Sequence, residues 1–419
     1  MAALTVALVL ACAVAAQAGI SAKLVSRTSQ GGPANGNSYV DVGGSLSHDG
    51  RLVTFSAEAA NLPGGDGSTS QIYVRDIARG DTRLVSKTQG GEPANGDVYS
   101  SAISANGRFV VFYGPGNGLP GANGTDDQVW IRDRKNGKTR LVSKANDGDP
   151  GDGSSGYPSV SATGRRVVFS SSSSNLPGGD GVHQFTYVRD LSRGRTILVS
   201  KTSGGTAAYG DVFGQSISAN GLRVIFESDD TGLPPADGIE HIYRRDLETG
   251  NTRLVDRTSK GTPANGSSAY PSISGDGASV GFDSVAANLP GGDGSDRQAY
   301  LRYVDAGRTT LVSRNSQGVP QDKDAFYPHP SDDGRYVAFE ATGSNLPGGD
   351  GTTDHIYVRD LREDTTRLLS RAGNGDPADA ATEYPTISLD GRFAAFDTEA
   401  GNLGGDPSYN NAFRAGPIH

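Results

Sequence analysis

The sequence predicts an all-β protein that folds as a seven-bladed β-propeller of four-stranded antiparallel blades. A segment of the form L-[VL]-[SD]-[KR] recurs seven times, beginning at Leu24, Leu84, Leu141, Leu198, Leu254, Leu311 and Leu368. A tight glycine turn followed by an apolar alternation ending in Phe also recurs, closing at Phe55, Phe112, Phe169, Phe226, Phe282, Phe339 and Phe396. No segment of useful length has a helical period. Units of four short strands at a constant period are typical of propellers.

The unit that begins at Tyr327 illustrates the four strands, denoted a to d, that each repeat provides. Strand a is predicted over Tyr327 to Ser331 and strand b over Arg335 to Ala341, joined by the tight turn Asp333-Gly334. Strand c follows over His355 to Asp360 and strand d over Thr366 to Arg371. Asx-Gly dipeptides favour two-residue hairpin turns because both central residues adopt positive φ. The β-branched and aromatic residues of b and c indicate strands buried on both faces.

The two ends of the chain predict how the ring closes. The last unit ends after a strand c near Ala412 to Arg414 and provides no strand d. The segment Ala22 to Arg27 matches strand d but has no strand a, b or c before it. We therefore expect the N-terminal strand to complete the last blade, which removes an open sheet edge.

The first residues predict export from the cytoplasm. Leu4 to Ala16 is an apolar or small-residue run, too short to span a bilayer, and it ends in the pattern Ala16-Gln17-Ala18. We interpret residues 1–18 as a secretory signal peptide and residues 19–419 as the propeller, in a secreted or periplasmic protein. Cys12 is the single cysteine. Leu10 and the continuing apolar residues argue against its acylation as a lipoprotein anchor.

Composition narrows the classes of partner. Lys and Arg number 38 and Asp and Glu 47, which gives a net charge of −9. An acidic chain without a basic block is a poor ligand for phosphate backbones, so nucleic acid is not expected as a partner. No other apolar run is long enough to predict a membrane span. We expect a monomer.

The repeats resemble a known family. The segment Tyr384 to Arg392, Y-P-T-I-S-L-D-G-R, together with the I-Y-V-R-D-L type of strand c, resembles the WD40-like (PD40) repeat of TolB-type propellers. The N-L-P-G-G-D-G and G-x-P-A-N-G loops are similar to those of a group of secreted bacterial propellers. The resemblance implies the propeller fold. The sequence leaves no room for the α/β domain that precedes the TolB propeller, which argues against the envelope role of TolB.

The longer loops predict which face of the propeller binds a ligand. The a–b and c–d turns are tight, whereas the b–c and d–a loops have about a dozen residues each, and long loops on a rigid scaffold favour ligand sites. Because strand direction alternates, both sets of long loops lie on one face, around the mouth of the central channel.

One acidic residue recurs in the b–c loops, and Asn123 takes its place in the second blade. Six loops contain it: Asp66, Asp180, Asp237, Asp293, Asp350 and Asp406. Calcium is the only cofactor that these residues suggest, because calcium binds six to eight oxygens. A single carboxylate among glycines also suits an Asx-turn, in which the side chain bonds to its own loop.

Four tyrosines begin strand a, each directly before a proline: Tyr157, Tyr270, Tyr327 and Tyr384. Their rings have two interpretations. They line the channel mouth as stacking surfaces for a sugar or peptide, or they cap the packing between blades.

A set of carboxylates follows the Phe of strand b in blades four to seven: Glu227, Asp283, Glu340 and Asp397. Strand c begins with His241 in the fourth blade and His355 in the sixth. Carboxylate and imidazole together can bind zinc or act as acid and base, and a histidine can also simply hydrogen-bond to a carboxylate. We predict ligand contacts from Glu227, His241, Glu340 and His355.

The leading prediction of function is a secreted, non-catalytic binding or scaffold propeller whose long-loop face binds a protein or glycan partner. The sequence contains no G-x-S-x-G or H-E-x-x-H motif, and no catalytic residue is assigned. The alternative is a propeller hydrolase or lyase that acts on polysaccharide at the channel mouth.

Overall fold

The computed structural model describes residues 20–41, 43–122, 124–209 and 212–419, without the side chains of residues 212 and 213. These residues form seven four-stranded antiparallel sheets around a central channel, so the predicted seven-bladed propeller is confirmed. The predicted signal peptide, Cys12 and Asn123 lie outside the described residues. In the part of the chain that is described, no helix has the length and apolar character to cross a membrane.

The strands follow the predicted a-to-d order in every blade. The first three blades contain β2 (Ser38–Tyr39), β3 (Leu52–Ala57), β4 (Gln71–Asp76), β5 (Asp81–Leu84); β6 (Tyr99–Ile103), β7 (Phe109–Gly114), β8 (Gln128–Asp133), β9 (Lys138–Leu141); and β10 (Ser155–Val160), β11 (Arg166–Ser171), β12 (Phe185–Asp190), β13 (Arg195–Leu198). The next two contain β14 (Val212–Ile217), β15 (Arg223–Ser228), β16 (His241–Asp246), β17 (Thr252–Leu254); and β18 (Ser268–Ile273), β19 (Ser279–Ser284), β20 (Gln298–Tyr303), β21 (Arg308–Leu311). The sixth contains β22 (Ala325–Pro330), β23 (Tyr336–Ala341), β24 (His355–Asp360) and β25 (Thr365–Leu368).

The last blade combines both ends of the chain. It contains β26 (Thr382–Ile387), β27 (Ala394–Thr398) and β28 (Asn411–Ala415), and β1 (Ala22–Leu24) pairs antiparallel with β28. A 3₁₀ turn, Gly401–Leu403, lies between β27 and β28. The predicted closure by the N-terminal strand is therefore confirmed, although β1 is shorter than the segment that predicted it.

Aromatic pairs fill the space between blades. The Phe that ends the apolar alternation of strand b stacks on an aromatic residue of strand c in each blade; Phe339 and Tyr357, for example, have ring centroids 5.6 Å apart. Both side chains are fully buried. Each blade is covered on both faces by its neighbours, which is why strands b and c are apolar on both sides.

The recurring Arg-Asp pair of strand c links neighbouring elements. Arg75 donates from Nη1 to the carbonyl of Thr28 at 3.1 Å and to Oγ1 of Thr82 at 2.9 Å. Asp76 accepts from Nη2 of Arg51 at 2.9 Å. Equivalent contacts recur in other blades, so this pair belongs to the scaffold rather than to a single ligand site.

Candidate active site

The channel mouth contains a cavity of about 460 Å³ on the face of the long loops. It is lined by the innermost segments of all seven blades, including Gly43, Ser100, Tyr157, Gly214, Tyr270, Tyr327 and Tyr384. Two other cavities, of about 560 and 600 Å³, lie at equivalent positions of two blades beside Leu254 and Leu141. Because those two are built from repeated residues, the channel mouth is the more distinctive candidate.

The four tyrosines that precede prolines have a backbone conformation that is rare for residues with a side chain. Their φ angles are 49° at Tyr157, 49° at Tyr270, 51° at Tyr327 and 56° at Tyr384. Strand register breaks at this point in each of these blades, for example between Gly156 and Ser159. Bulges re-aim side chains, and left-handed conformations at non-glycine residues cost free energy and cluster at functional sites. The bulge turns the tyrosine rings into the cavity.

The rings form a partly exposed aromatic surface. The centroids of Tyr270 and Tyr327 lie 4.4 Å apart, and those of Tyr327 and Tyr384 lie 5.1 Å apart. The ring centroid of Tyr157, in the third blade, lies 5.2 Å from that of Tyr113. The exposed fractions of Tyr157, Tyr270 and Tyr384 are 54%, 44% and 37%. Side chains that only cap packing between blades would be covered, so this geometry favours a stacking surface for a ligand.

The carboxylates after the strand-b Phe hold the bulges of the neighbouring blades. Main-chain N–H groups donate to them, at 2.9 Å from Tyr270 to Glu227, 3.2 Å from Tyr327 to Asp283 and 3.1 Å from Tyr384 to Glu340. Each carboxyl group therefore fixes the strained tyrosine of the next blade. The sequence pattern located these acids but gave no sign of this contact.

Burial changes the protonation of these acids. It raises the pKa of Glu227 and of Glu340 to about 8 and that of Asp283 to about 7. The pKa of Asp397 is raised as well, by the same burial. The N–H donors and Arg297 oppose the effect without cancelling it. Glu227 and Glu340 are mainly protonated at neutral pH.

Glu227 differs from the other acids of this set because it lines the cavity. The residue that takes the tyrosine position in its own blade is Gly214, with φ of 58°. A Cβ at Gly214 would lie 2.9 Å from Oε2 of Glu227, so the carboxyl group occupies the place of a side chain. In the fifth and sixth blades this position is Tyr270 and Tyr327. Glycine in the fourth blade thus opens one protonated carboxyl group to the channel.

His329 is the histidine that the cavity contains, and sequence reasoning missed it. It lies two residues after Tyr327 and lines both the mouth and the narrow part of the channel below. Burial lowers its pKa to about 4, and its Nδ1 has no hydrogen-bond partner among the described residues. The imidazole is therefore uncharged at neutral pH. The sequence signal for this residue is that His329 replaces, in one blade, a position of strand a that is a small residue in the others, such as Ser272 in the fifth blade.

The structure does not bring His241 and His355 together with Glu227 and Glu340. His241 is opposite Ser228 and His355 opposite Ala341, one residue away from each acid. A shift of one residue places side chains on opposite faces of a sheet.

Both histidines have partners of their own outside the cavity. His241 lies with Nδ1 2.6 Å from Asp256, and the Nδ1 of the buried His355 is 3.5 Å from Oγ of Ser370.

The b–c loop aspartates use their oxygens within their own loops. Oδ1 of Asp66 accepts the N–H groups of Ser68 at 2.8 Å and Thr69 at 2.7 Å, and these bonds lower the pKa of Asp66 to about 2. Similar N–H contacts recur at Asp180, Asp237, Asp293, Asp350 and Asp406. Within the described ranges, no group of three or more His, Cys, Asp or Glu residues is placed to hold a metal ion.

No family model matches the chain, and no curated protein matches it. Solved structures do match. An oligogalacturonate lyase from Vibrio parahaemolyticus has a TM-score of 0.57 and 12% identity over 92% of both chains. An oligogalacturonate lyase in complex with manganese has a TM-score of 0.56 and 12% identity over the same shares.

Other propellers are among the matches. The propeller domain of the Trilobed protease from Pyrococcus furiosus, which has an open velcro topology, has a TM-score of 0.56 and 9% identity over 91% of this chain and 98% of the domain. TolB from Acinetobacter baumannii matches at a TM-score of 0.45 and 16% identity over 84% of this chain and 65% of its own. TolB and other propellers are thus structural neighbours, and these likenesses concern the fold.

The comparisons contradict the leading prediction of a non-catalytic propeller. Two of the matched structures are lyases, so the fold of this chain is one on which enzymes are built. The manganese of one neighbour does not fit this mouth. Its lining provides one imidazole and one carboxyl group, which is already bonded to Tyr270, and no group of three His, Cys, Asp or Glu among the described residues is placed to hold a metal ion.

Proposed function

We propose that this chain is a propeller hydrolase or lyase that cleaves a polysaccharide bound across the channel mouth. The observation that supports it is one cavity in which a protonated carboxyl group, Glu227, an uncharged imidazole, His329, and four tyrosine rings meet. The cavity volume of about 460 Å³ lies within the range of ligand sites, roughly 300 to 1,000 Å³. The predicted secretory segment would place such an enzyme where extracellular or periplasmic glycans are found.

Glu227 is suited to act as general acid. The N–H of Tyr270 bonds to Oε2, which leaves Oε1 to carry the proton. Donation of this proton to the glycosidic oxygen assists departure of the leaving sugar. A carboxyl group with a pKa of about 8 retains its proton at neutral pH and needs no further activation.

His329 is the imidazole that lines the cavity, and because its ring is unprotonated at neutral pH it can accept a proton from a reacting group. In hydrolysis it takes a proton from the attacking water. In elimination it takes the proton from the sugar carbon next to a carboxylate, and an unsaturated sugar is formed. The tyrosine rings hold the pyranose by stacking against its C–H face.

The experiment is a screen of the purified protein against neutral, acidic and amino polysaccharides. Reducing ends report cleavage, and ultraviolet absorbance of an unsaturated product separates elimination from hydrolysis. We expect Glu227→Gln and His329→Ala each to lower turnover by about 100-fold or more.

Glu248→Gln is the matched control, because Glu248 is exposed on the c–d turn of the same blade, at the opposite face. It should retain the wild-type rate. Absence of cleavage in every polysaccharide tested, or wild-type turnover in Glu227→Gln, would overturn the proposal.

A further inference from the structure

Carboxyl groups dominate the electrostatic surroundings of the channel mouth. Glu58, Glu399 and Glu383 act on Tyr39, and Asp97 acts on Tyr99, which directly precedes the cavity-lining Ser100. Glu240 acts on Glu227, while Asp354 and Glu383 act on Glu340. Each of these acids raises the pKa of the group that it faces.

Positive charge at the mouth is largely neutralised. Arg297 opposes the acids at Glu227 and Asp283, but its Nη1 lies 2.6 Å from Oδ1 of Asp283. His329 remains uncharged at neutral pH. A polymer bearing carboxylates would therefore meet mostly carboxylates at this mouth, whereas a cationic polymer would be attracted.

An independent feature of the cavity wall points to a hydrogen-bond donor on the ligand. Gln215 lines the cavity and has an exposed fraction of 7%. Its Nε2 donates to the carbonyl of Tyr157 at 2.8 Å, which fixes the orientation of the amide. Its Oε1 is buried and has no partner among the described residues. A buried acceptor without a donor costs free energy, and an N–H of a bound ligand would remove that cost.

The tyrosine rings suit the same kind of ligand. Ring faces attract ammonium groups within about 6 Å of the centroid. The ring centroid of Tyr327 lies 4.4 Å from that of Tyr270 and 5.1 Å from that of Tyr384, so the three rings touch and form one continuous aromatic surface at the mouth. The main chain of the fourth tyrosine, Tyr157, contacts Gln215, because its carbonyl oxygen accepts the Nε2–H of the amide.

We infer that the substrate is an amino-sugar polysaccharide whose free ammonium groups bind among these tyrosines, the Gln215 oxygen and the surrounding acids. This inference rests on the proposed function and names its substrate class. Neutral sugars provide the stacking but no charge, and uronates provide the wrong charge. An amino sugar has no carboxylate next to the reacting carbon, so of the two proposed reactions this substrate class selects hydrolysis rather than elimination. The sugar ring distinguishes this ligand from a basic peptide, because it offers a flat face to the rings together with the amine.

The test is calorimetric binding of three oligosaccharides of equal length: glucosamine, N-acetylglucosamine and galacturonate oligomers, with a lysine oligomer as a charge-only comparison. At mildly acidic pH, where the amines are protonated, we expect the glucosamine oligomer to bind at least tenfold more tightly than the other three. Its affinity should fall with salt, because screening shortens the reach of the mouth acids.

Two variants test the contacts. Gln215→Leu removes the unpartnered acceptor and should weaken glucosamine binding by about tenfold. Glu58→Gln changes an exposed acid, so folding is unaffected, and should weaken the same binding by a smaller factor. Glu248→Gln on the opposite face should change nothing.

The outcomes separate this inference from the proposed function. Equal binding of the acetylated or the lysine oligomer, or unchanged affinity in both Gln215→Leu and Glu58→Gln, would overturn the inference. Cleavage of a neutral or uronate chain without any preference for amino sugars would do the same while leaving the enzyme proposal intact. Tight glucosamine binding with no cleavage of any polysaccharide would instead refute the proposed function.

Discussion

The carboxyl group of Glu340 in the sixth blade accepts the main-chain N–H of Tyr384 in the seventh, with Oε2 and N 3.1 Å apart. Tyr384 has φ of 56° and precedes Pro385, a combination that the chain avoids unless the surroundings enforce it. The protonation state of Glu340 is therefore coupled to the left-handed backbone conformation of Tyr384 in the next blade. The same arrangement links Glu227 to Tyr270, so the groups that shape the mouth also join its blades.

The first prediction concerns pH and stability. Glu227 and Glu340 release their protons at about pH 8 in the native protein and near 4.5 when unfolded. The native state binds more protons in this interval, so the free energy of unfolding falls as pH rises from about 4.5 to about 8. Their contribution is fully present below the unfolded pKa and is lost as pH passes the folded pKa. Thermal unfolding across this interval measures it.

Glu340→Gln is the variant that tests the cause. The amide oxygen can accept the Tyr384 N–H, but the side chain no longer titrates. We expect the melting temperature of the variant to depend less on pH and to exceed that of the wild type above about pH 8, where the wild type carries a buried charge. The loop aspartates with lowered pKa, such as Asp66, act below pH 4 and leave this interval unaffected. A variant whose melting temperature follows the wild-type pH profile would exclude the buried acid as its source.

The second prediction separates strain from ligand binding at Tyr157. Its φ is 49° and its side chain is half-exposed. Tyr157→Gly and Tyr157→Ala both remove the ring, but only glycine adopts this φ without a penalty. We expect the glycine variant to be more stable than the alanine variant by about 1 kcal/mol, and both to bind polysaccharide more weakly by a few-fold. Denaturant unfolding and calorimetric binding provide the two measurements.

The fourth blade already has a glycine at this position: Gly214 adopts a φ of 58° where the third blade has Tyr157. The Tyr157→Gly variant therefore has a natural counterpart in the same protein. If alanine and glycine at position 157 are equally stable, the left-handed backbone stores no strain there. If both bind polysaccharide like the wild type, the ring is not part of the binding surface.

The sequence predicts the scaffold because the same physical requirement recurs in every repeat. The Phe of strand b must stack on strand c between two blades, as Phe339 does on Tyr357 at 5.6 Å, and a residue that recurs sevenfold is visible without a structure. Closure was predictable for a similar reason, since a lone strand d at one end of the chain matches a missing one at the other.

The candidate site is formed by residues that differ from the repeat pattern in a single blade, and the role of such a residue is harder to predict from sequence than that of a residue that recurs in every blade. His329 replaces a small residue in one blade, and Gly214 replaces a tyrosine in another. Neither substitution alone predicts that both residues line one cavity. Whether His241 shares a face with Glu227 depends on strand register to the residue, and the structure places His241 opposite Ser228 instead. The Tyr-Pro bulges were not foreseen because a residue before proline normally favours extended backbone.

The third prediction concerns calcium at the b–c loops. Oδ1 of Asp350 accepts the N–H groups of Thr352 and Thr353, both at 2.7 Å, and Oδ2 accepts the hydroxyl of Thr353 at 2.8 Å. Oxygens engaged in this way attract a cation only diffusely, and salt screens such attraction over about 8 Å at physiological ionic strength. We expect millimolar calcium to leave the melting temperature unchanged in that salt. A bound ion at 100 times its dissociation constant would add about 2.7 kcal/mol.

Asp350→Asn is the matched change for the calcium experiment, because it keeps an acceptor for the two N–H groups and removes the charge. A saturable increase of several degrees in the wild type that disappears in this variant would establish an ion site in the loop. Equal and unsaturated responses in both proteins would agree with diffuse attraction.

The fourth prediction concerns ring closure. The N–H of Val25, just after β1, donates to the carbonyl of Ala412 at 2.8 Å, and the N–H of Ala412 donates to Oγ of Ser26 at 3.0 Å. Deletion of residues 20–27 would break these bonds, leave β28 as an open edge and remove the buried side chains of Ile20 and Val25. We expect self-association and a less cooperative unfolding transition, because an unpaired edge templates strand addition. Light scattering after size exclusion and calorimetry measure the two effects.

A chain that begins at residue 20 is the control for the deletion, since it keeps β1 intact. A synthetic peptide of residues 20–27 tests the mechanism further, because it restores the missing strand and the Ser26 carbonyl that accepts the N–H of Ala34 in the deleted protein. We expect the peptide to return the deleted protein to a monomer with a sharper transition. A deleted protein that is monomeric and melts at the temperature of the control would show that the seventh blade holds without its N-terminal strand.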